Sequence, residues 1–301
     1  MLKQRGRPAG GASHEAVGGS VMHEQVRIVR TPDGRELAVC EWGDPEGAPM
    51  FFLHGTPGSR YLREPGDGYL RNHLRVYTYD RPGYGLSTRA AGRRRADSAA
   101  DVLAIADAFE LEQFGVAGVS GGASPALAAA ALLPDRVSRC ATVVGPAPFT
   151  AEGLDFYEGM DEEARLGWQH AVQGEAALEI DWRAFMDWVN AGMPELGLVD
   201  EERAMLMEAF VESGRQGPAG YIDDCLSGTR DWGFSVEDIQ VPTRIMVARE
   251  DTTVPAAHGE WLARHLPNAE LVWVDGGHFG PRDEAEMQLM NWVGHGAVAT
   301  C

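Results

Sequence analysis

This chain of 301 residues predicts an α/β fold, a mainly parallel sheet covered by helices on both faces. Two patterns carry that expectation. Short apolar runs alternate with longer stretches of helical periodicity, and the turns between them are rich in glycine. Strand–helix–strand units of this kind form right-handed crossovers and bury both faces of the sheet they build. A chain of this length buries a large enough core to need no metal or disulfide staple. With 44% hydrophobic and 24% charged residues, its composition is that of a globular protein.

The elements follow in order. Residues 1–22 carry basic side chains and glycines but no apolar segment of signal-peptide length, and are expected to be a disordered leader. Folded structure is expected from near Glu24. Apolar runs at 26–29 and 37–39 flank Thr31-Pro32-Asp33-Gly34, the chemistry of a tight hairpin turn. Residues 49–53 read as a buried strand before a glycine-rich turn, and 75–79 as another. Residues 96–111 place Val102, Ile105, Ala106 and Phe109 at helical spacing, with Asp97 or Ser98 as cap. A strand at 114–119, a helix at 121–133 stopped by Pro134, and a strand at 137–144 complete the first half. From 150 to 232 the pattern is helical throughout, and alternation resumes with strands at 243–248 and 271–274. The economical organisation is a core of 23–149 and 233–301 with a helical insertion at 150–232.

Charge and composition exclude several function classes. The net charge is −19, and residues 151–232 hold 19 acidic against 5 basic side chains. Such a surface repels phosphate backbones and anionic bilayers, so neither nucleic acid nor membrane is expected as a partner. The longest strongly apolar run, 126–133, is far short of the roughly 20 residues a membrane helix needs. Lys3 is the sole lysine, which leaves Schiff-base chemistry nowhere obvious to act. Cys40, Cys140, Cys225 and Cys301 are scattered singly, which favours thiols in a reducing, cytoplasmic compartment. No H-E-x-x-H or paired-cysteine motif points to a metal, and no cofactor is expected.

The sharpest chemical signal is Gly118-Val119-Ser120-Gly121-Gly122, a G-x-S-x-G between a strand and a helix. A serine on so tight a turn needs neighbours without bulk, and the following helix start offers amide donors to developing negative charge. Serine is a weak nucleophile until a base takes its proton, and a carboxylate must orient that base. His278, in Asp275-Gly276-Gly277-His278-Phe279-Gly280, ends a strand behind two glycines and is the leading candidate base; His54 also ends a strand. Asp251, in the loop after 243–248, is the leading carboxylate, with Glu250, Asp275 and Asp283 as competitors.

These blocks resemble the α/β-hydrolase superfamily, in the branch that contains proline iminopeptidases, esterases and epoxide hydrolases. The resemblance spans about residues 24–292. It rests on His54-Gly55-Thr56-Pro57-Gly58-Ser59, on the segment from Tyr79-Asp80-Arg81-Pro82-Gly83 to Ser87, on Gly118 to Gly122, and on Asp251 with His278. It implies a helical cap inserted after the sixth strand, and an oxyanion hole formed by the backbone amides of Thr56 and Gly121. Arg81 reads as structural, pairing a carboxylate or carbonyls. Epoxide hydrolases and dehalogenases of this fold carry aspartate as nucleophile; Ser120 stands there instead, which argues against both activities.

On the insertion, Tyr157, Trp168, Trp182, Phe185 and Trp188 have two readings, packing against the core or lining an apolar pocket. With Phe279 beside His278 they form the candidate substrate-binding set. Peptidases of this branch hold a free amino terminus with cap carboxylates, so Asp161-Glu162-Glu163 and Asp223-Asp224 either serve that purpose or form a solvated face. The expected activity is hydrolysis of a small, largely apolar carboxylic ester through an acyl-enzyme on Ser120. A proline-iminopeptidase-like activity on short peptides, and a ligand receptor that keeps the triad but turns over little, are the alternatives.

Overall fold

The structure, a computed structural model, describes residues 26–193, 196, 199–280 and 283–295. The expected leader at 1–22 lies outside them. Eight strands form one sheet in the order β1-β2-β4-β3-β5-β6-β7-β8. They are β1 (Arg27–Arg30), β2 (Glu36–Gly43), β3 (Ala48–Leu53), β4 (Leu74–Tyr79), β5 (Phe114–Val119), β6 (Val137–Val143), β7 (Thr243–Ala248) and β8 (Ala269–Val274). The opening hairpin is antiparallel, as is β2 against β4; every other pairing is parallel. Nine α-helices are described: α1 (Gly68–Arg71), α2 (Ser98–Ala108), α3 (Ala123–Leu132), α4 (Glu162–Gln173), α5 (Glu175–Asn190), α6 (Asp200–Ser213), α7 (Ala219–Gly228), α8 (Ala256–His265) and α9 (Asp283–His295). None of them is long and apolar enough to cross a membrane.

Alternation along each central strand splits its side chains between two cores. Phe51 and Leu53 pack with Val102, Ile105 and Leu127 on one face; Met50 and Phe52 pack with Leu289, Met290 and Val293 on the other. Burial on both faces explains why these strands read as continuous apolar runs. Strand β3 lies between β4 and β5, so the chain's progression across the sheet reverses there. In open α/β sheets such a reversal leaves a crevice at the strands' carboxyl ends. Leu53 pairs with Gly118 in register, which sets residues 54–56 beside residues 119–121 at that edge.

Two expectations need correction. The helix expected at 96–111 begins as a 3₁₀ turn, Arg95–Asp97, and continues as α2 from Ser98. The Asp97 carboxylate accepts from Arg94 N–H at 2.8 Å, closing that turn rather than capping α2. The insertion is not helical throughout: residues 150–161 form turns, with Gly153 and Gly159 at left-handed φ of 77° and 82°. Its helices α4–α7 hold small cores of their own. Ala171, Leu178 and Ile222 form one; Val189, Met193, Leu206 and Phe210 form the other, which packs on Leu62 beyond β3.

Candidate active site

Strand β5 ends at Val119, and Ser120 follows with φ of 52°, in the left-handed region that a non-glycine residue rarely holds. Residues Ser120–Gly122 make a single 3₁₀ turn before α3, where a helix from 121 was expected. The turn is so tight that a Cβ at Gly118 would stand 2.1 Å from Gly122 O, so only glycine fits. The chain thereby lifts the Ser120 hydroxyl to the carboxyl edge of the sheet.

Backbone pairing past the ends of β7 and β8 brings the other two groups to it. Arg249 N–H donates to Val274 O and Glu250 N–H to Gly276 O, each at 3.0 Å, while Gly276 N–H donates to the Glu250 carboxylate. The two loops are thus zipped together. Asp251 Oδ1 accepts from Thr253 N–H at 2.9 Å and Val254 N–H at 2.8 Å. Its Oδ2 lies 2.8 Å from His278 Nδ1, and His278 Nε2 lies 3.0 Å from Ser120 Oγ. A carboxylate can only accept, so Nδ1 carries the proton and Nε2 presents its lone pair to the serine hydroxyl. The Asp251 side chain is fully buried and that of His278 nearly so. This chain of bonds can draw a proton from Ser120 and stabilise the imidazolium that results.

The competitors are engaged elsewhere. His54 is buried, accepts from Arg81 N–H at Nε2 (3.2 Å) and donates from Nδ1 to Gly55 O (2.8 Å). Burial, reinforced by the Arg81 charge, holds it well below the ordinary histidine range, so it stays neutral with both nitrogens occupied. Asp275 is exposed and pairs with Arg249 at 3.2 Å. Glu250 is the loop tie described above. The side chain of Asp283 lies outside the described residues.

Thr56 and Gly121 face each other: a Cβ at Gly121 would stand 2.2 Å from Thr56 Oγ1 and 3.1 Å from Thr56 N. Sequence reasoning missed what holds Thr56. Asp224, buried on α7, accepts from Thr56 Oγ1 at 2.9 Å and Tyr84 Oη at 3.0 Å, and forms ion pairs with Arg81, Arg93 and Arg95. Burial alone pushes this carboxyl up, yet the three guanidinium charges hold it well below the usual carboxylate range. Arg81 is structural, as expected, joining Asp224 to the carbonyls of His54 and Gly55. Asp223 is taken by Arg89 in a bidentate pair at 2.8 and 3.0 Å. Asp161 caps α4 through Ala164 N–H and accepts from Thr252 Oγ1. Glu162 and Glu163 are exposed. The acidic residues considered for gripping an amine are therefore either committed to protein partners or directed to solvent.

The insertion's aromatics form two packing groups. Trp168 stacks on Phe149 at 5.9 Å and meets Phe156 edge-on, with Tyr157 alongside both phenylalanines. Trp182 is buried against Phe185 and Tyr221, while Trp188 adjoins Phe185 and Phe210. Each of these five rings packs against other rings of the protein. Phe279 differs: it is 47% exposed and stands edge-on to the His278 ring at 5.2 Å.

Comparison with known proteins agrees with this architecture. The family model described as alpha/beta hydrolase fold matches residues 48–285. A non-heme chloroperoxidase of Streptomyces lividans is 27% identical over 261 residues, covering 82% of this chain and 91% of that protein. A 3-oxoadipate enol-lactonase of Acinetobacter baylyi is 22% identical, covering 89% and 95%. Among solved structures, an esterase from Exiguobacterium antarcticum superposes with a TM-score of 0.70 at 20% identity, covering 89% of this chain and 99% of that one. The strand order, the serine elbow and the match across residues 48–285 identify this chain as a member of the alpha/beta hydrolase fold family.

Proposed function

We propose that this hydrolase is a serine esterase that cleaves carboxylic esters of small, largely apolar molecules through an acyl-enzyme on Ser120. The observation that carries the reading is the unbroken bond chain from Ser120 through His278 to Asp251, at 3.0 and 2.8 Å, ending on a buried carboxylate. His278 Nε2 takes the Ser120 proton as Oγ attacks the acyl carbonyl. The tetrahedral oxyanion receives the N–H groups of Thr56 and Gly121, each such donor being worth about 10²–10³ in rate. His278 then protonates the departing alcohol, and a water deprotonated by the same nitrogen releases the acid. Helices α4–α7 serve as the cap over this edge, and exposed Phe279 offers an apolar surface beside the base. Opening a lactone is the same acyl chemistry with the alcohol retained on the product, so lactones fall within the proposal. No cofactor takes part.

Proline-iminopeptidase activity is the weaker reading, because Asp223 and Asp224 are bound by arginines and Asp161 by α4 and Thr252. The test is a panel of p-nitrophenyl esters of increasing chain length beside aminoacyl p-nitroanilides, including proline. Wild type should turn over esters and leave anilides untouched, and Ser120→Ala should lose at least ~10⁴-fold in kcat. Prolyl anilide cleavage at a comparable rate would replace the esterase with the peptidase. Tight ligand binding with negligible turnover would replace it with a receptor.

A further inference from the structure

Building on the esterase reading, we propose that Asp224 is a positioning residue that sets the direction of the Thr56 oxyanion donor from helix α7. The argument starts from the planarity of the peptide unit. Gly55 C=O and Thr56 N–H belong to one plane and point in opposite directions, so fixing the carbonyl fixes the amide. Two donors fix that carbonyl: His54 Nδ1–H at 2.8 Å and Arg81 Nη2–H at 2.9 Å. The same guanidinium holds the His54 carbonyl, so the two peptide planes preceding Thr56 share one clamp. Arg81 is in turn held by Asp224, at Nε (3.2 Å) and Nη2.

A second arm reaches the Thr56 side chain. Its hydroxyl donates to Asp224 Oδ2 at 2.9 Å and accepts from Arg81 Nη2 at 3.0 Å, which leaves the threonine one rotamer. That rotamer places Oγ1 where a Cβ on residue 121 would stand. The clamped threonine opposite thus requires glycine at 121. One carboxylate oxygen on the insertion therefore gathers Thr56, Arg81 and Tyr84, all from the sheet's carboxyl edge. Asp224 stays ionised because Arg93 and Arg95 also face it. Residues 223 and 224 look interchangeable in the sequence, but among the described residues Asp223 pairs with the half-exposed Arg89, while Asp224 reaches Thr56 and Arg81.

The test uses the full-length protein with p-nitrophenyl butyrate as substrate and phenylboronic acid as the probe of oxyanion binding. Thr56→Val keeps the backbone amide and the β-branched shape but loses both hydroxyl bonds. It should lower kcat by about 10- to 100-fold at unchanged KM, the size expected when a catalytic group is misplaced by a fraction of an ångström to an ångström. Its boronate inhibition constant should rise in step with the fall in kcat/KM. Thr56→Ser should restore both. Asp224→Asn should show the same split between kcat and KM; where it does not fold, the Thr56 pair decides. Wild-type kcat and boronate affinity in Thr56→Val would overturn the inference while Ser120-dependent turnover still stood. Wild-type turnover that survives Ser120→Ala, or is absent altogether, would overturn the esterase reading and the inference with it.

Discussion

Ser120 holds a backbone conformation that costs a non-glycine residue roughly 1–3 kcal/mol, and the surrounding turn maintains it. That cost is offset in the tight packing of Gly118 against Gly122 and in the burial of β5. The two strand-end histidines show how far surroundings decide a role. His278 has one nitrogen on a carboxylate and the other on a hydroxyl, whereas His54 has one on a carbonyl and the other on an amide. Only the first arrangement can accept and return a proton. Ser120, Asp251 and His278 were legible because a strained elbow leaves a glycine signature and strand ends place the partners in a fixed chain order. Asp224 was not legible. On an insertion with a large acidic surplus, a pair of aspartates looks like solvated surface, and nothing local shows that Arg81, Arg93 and Arg95 converge on one of them. A signal did exist in the cluster of arginines from 89 to 95, which are costly to bury without a carboxylate.

Helix α4 couples the insertion to the acid loop through its own start. Asp161 accepts from Ala164 N–H at 2.8 Å as the N-cap, and its second oxygen accepts from Thr252 Oγ1 at 2.9 Å. Asp161 N–H also donates to Thr252 O, next in the chain to Asp251. Asp161→Ala should cost about 1 kcal/mol as a lost cap. It should also raise amide hydrogen exchange both in the first turn of α4 and at residues 252–254, with a fall in kcat. Asp161→Ser should restore the cap and the exchange in α4. Faster exchange confined to α4 would show that the cap does not steady the acid loop. The strands were the most legible elements, since β5 and β7 carry apolar runs that end where the sheet ends. Helix starts were the least legible. Asp97 resembles a cap in sequence but spends its carboxylate on Arg94 N–H, a choice set by how residues 94–97 fold back.

Across the whole molecule, two buried histidines among the described residues, His54 and His258, tie stability to pH. Burial lowers His258 to about 4, where it accepts from Ala147 N–H and donates to Phe156 O, and His54 is held well below its ordinary value. In the unfolded chain both titrate near the ordinary 6.5. The unfolded state therefore binds more protons than the folded one between those values. The His258 contribution is complete above about pH 6.5 and is lost as pH falls toward 4, amounting to about 3 kcal/mol over that window, and His54 acts in the same direction. Urea midpoints measured from pH 7.5 to 4.5 should fall more steeply for wild type than for His258→Asn; parallel curves would contradict the assignment. The fold class was legible because strand–helix alternation runs the length of the core, whereas the seam between insertion and sheet, built from ion pairs far apart in sequence, was not. Every step of the proposed reaction passes through an acyl group on Ser120. The most direct test of that role is mass spectrometry of the intact protein after treatment with an alkyl fluorophosphonate, followed by peptide mapping. One adduct on Ser120, formed in step with the loss of ester turnover and absent from Ser120→Ala, is the expected result. An adduct on another residue, or full ester turnover in a protein labelled at Ser120, would contradict it.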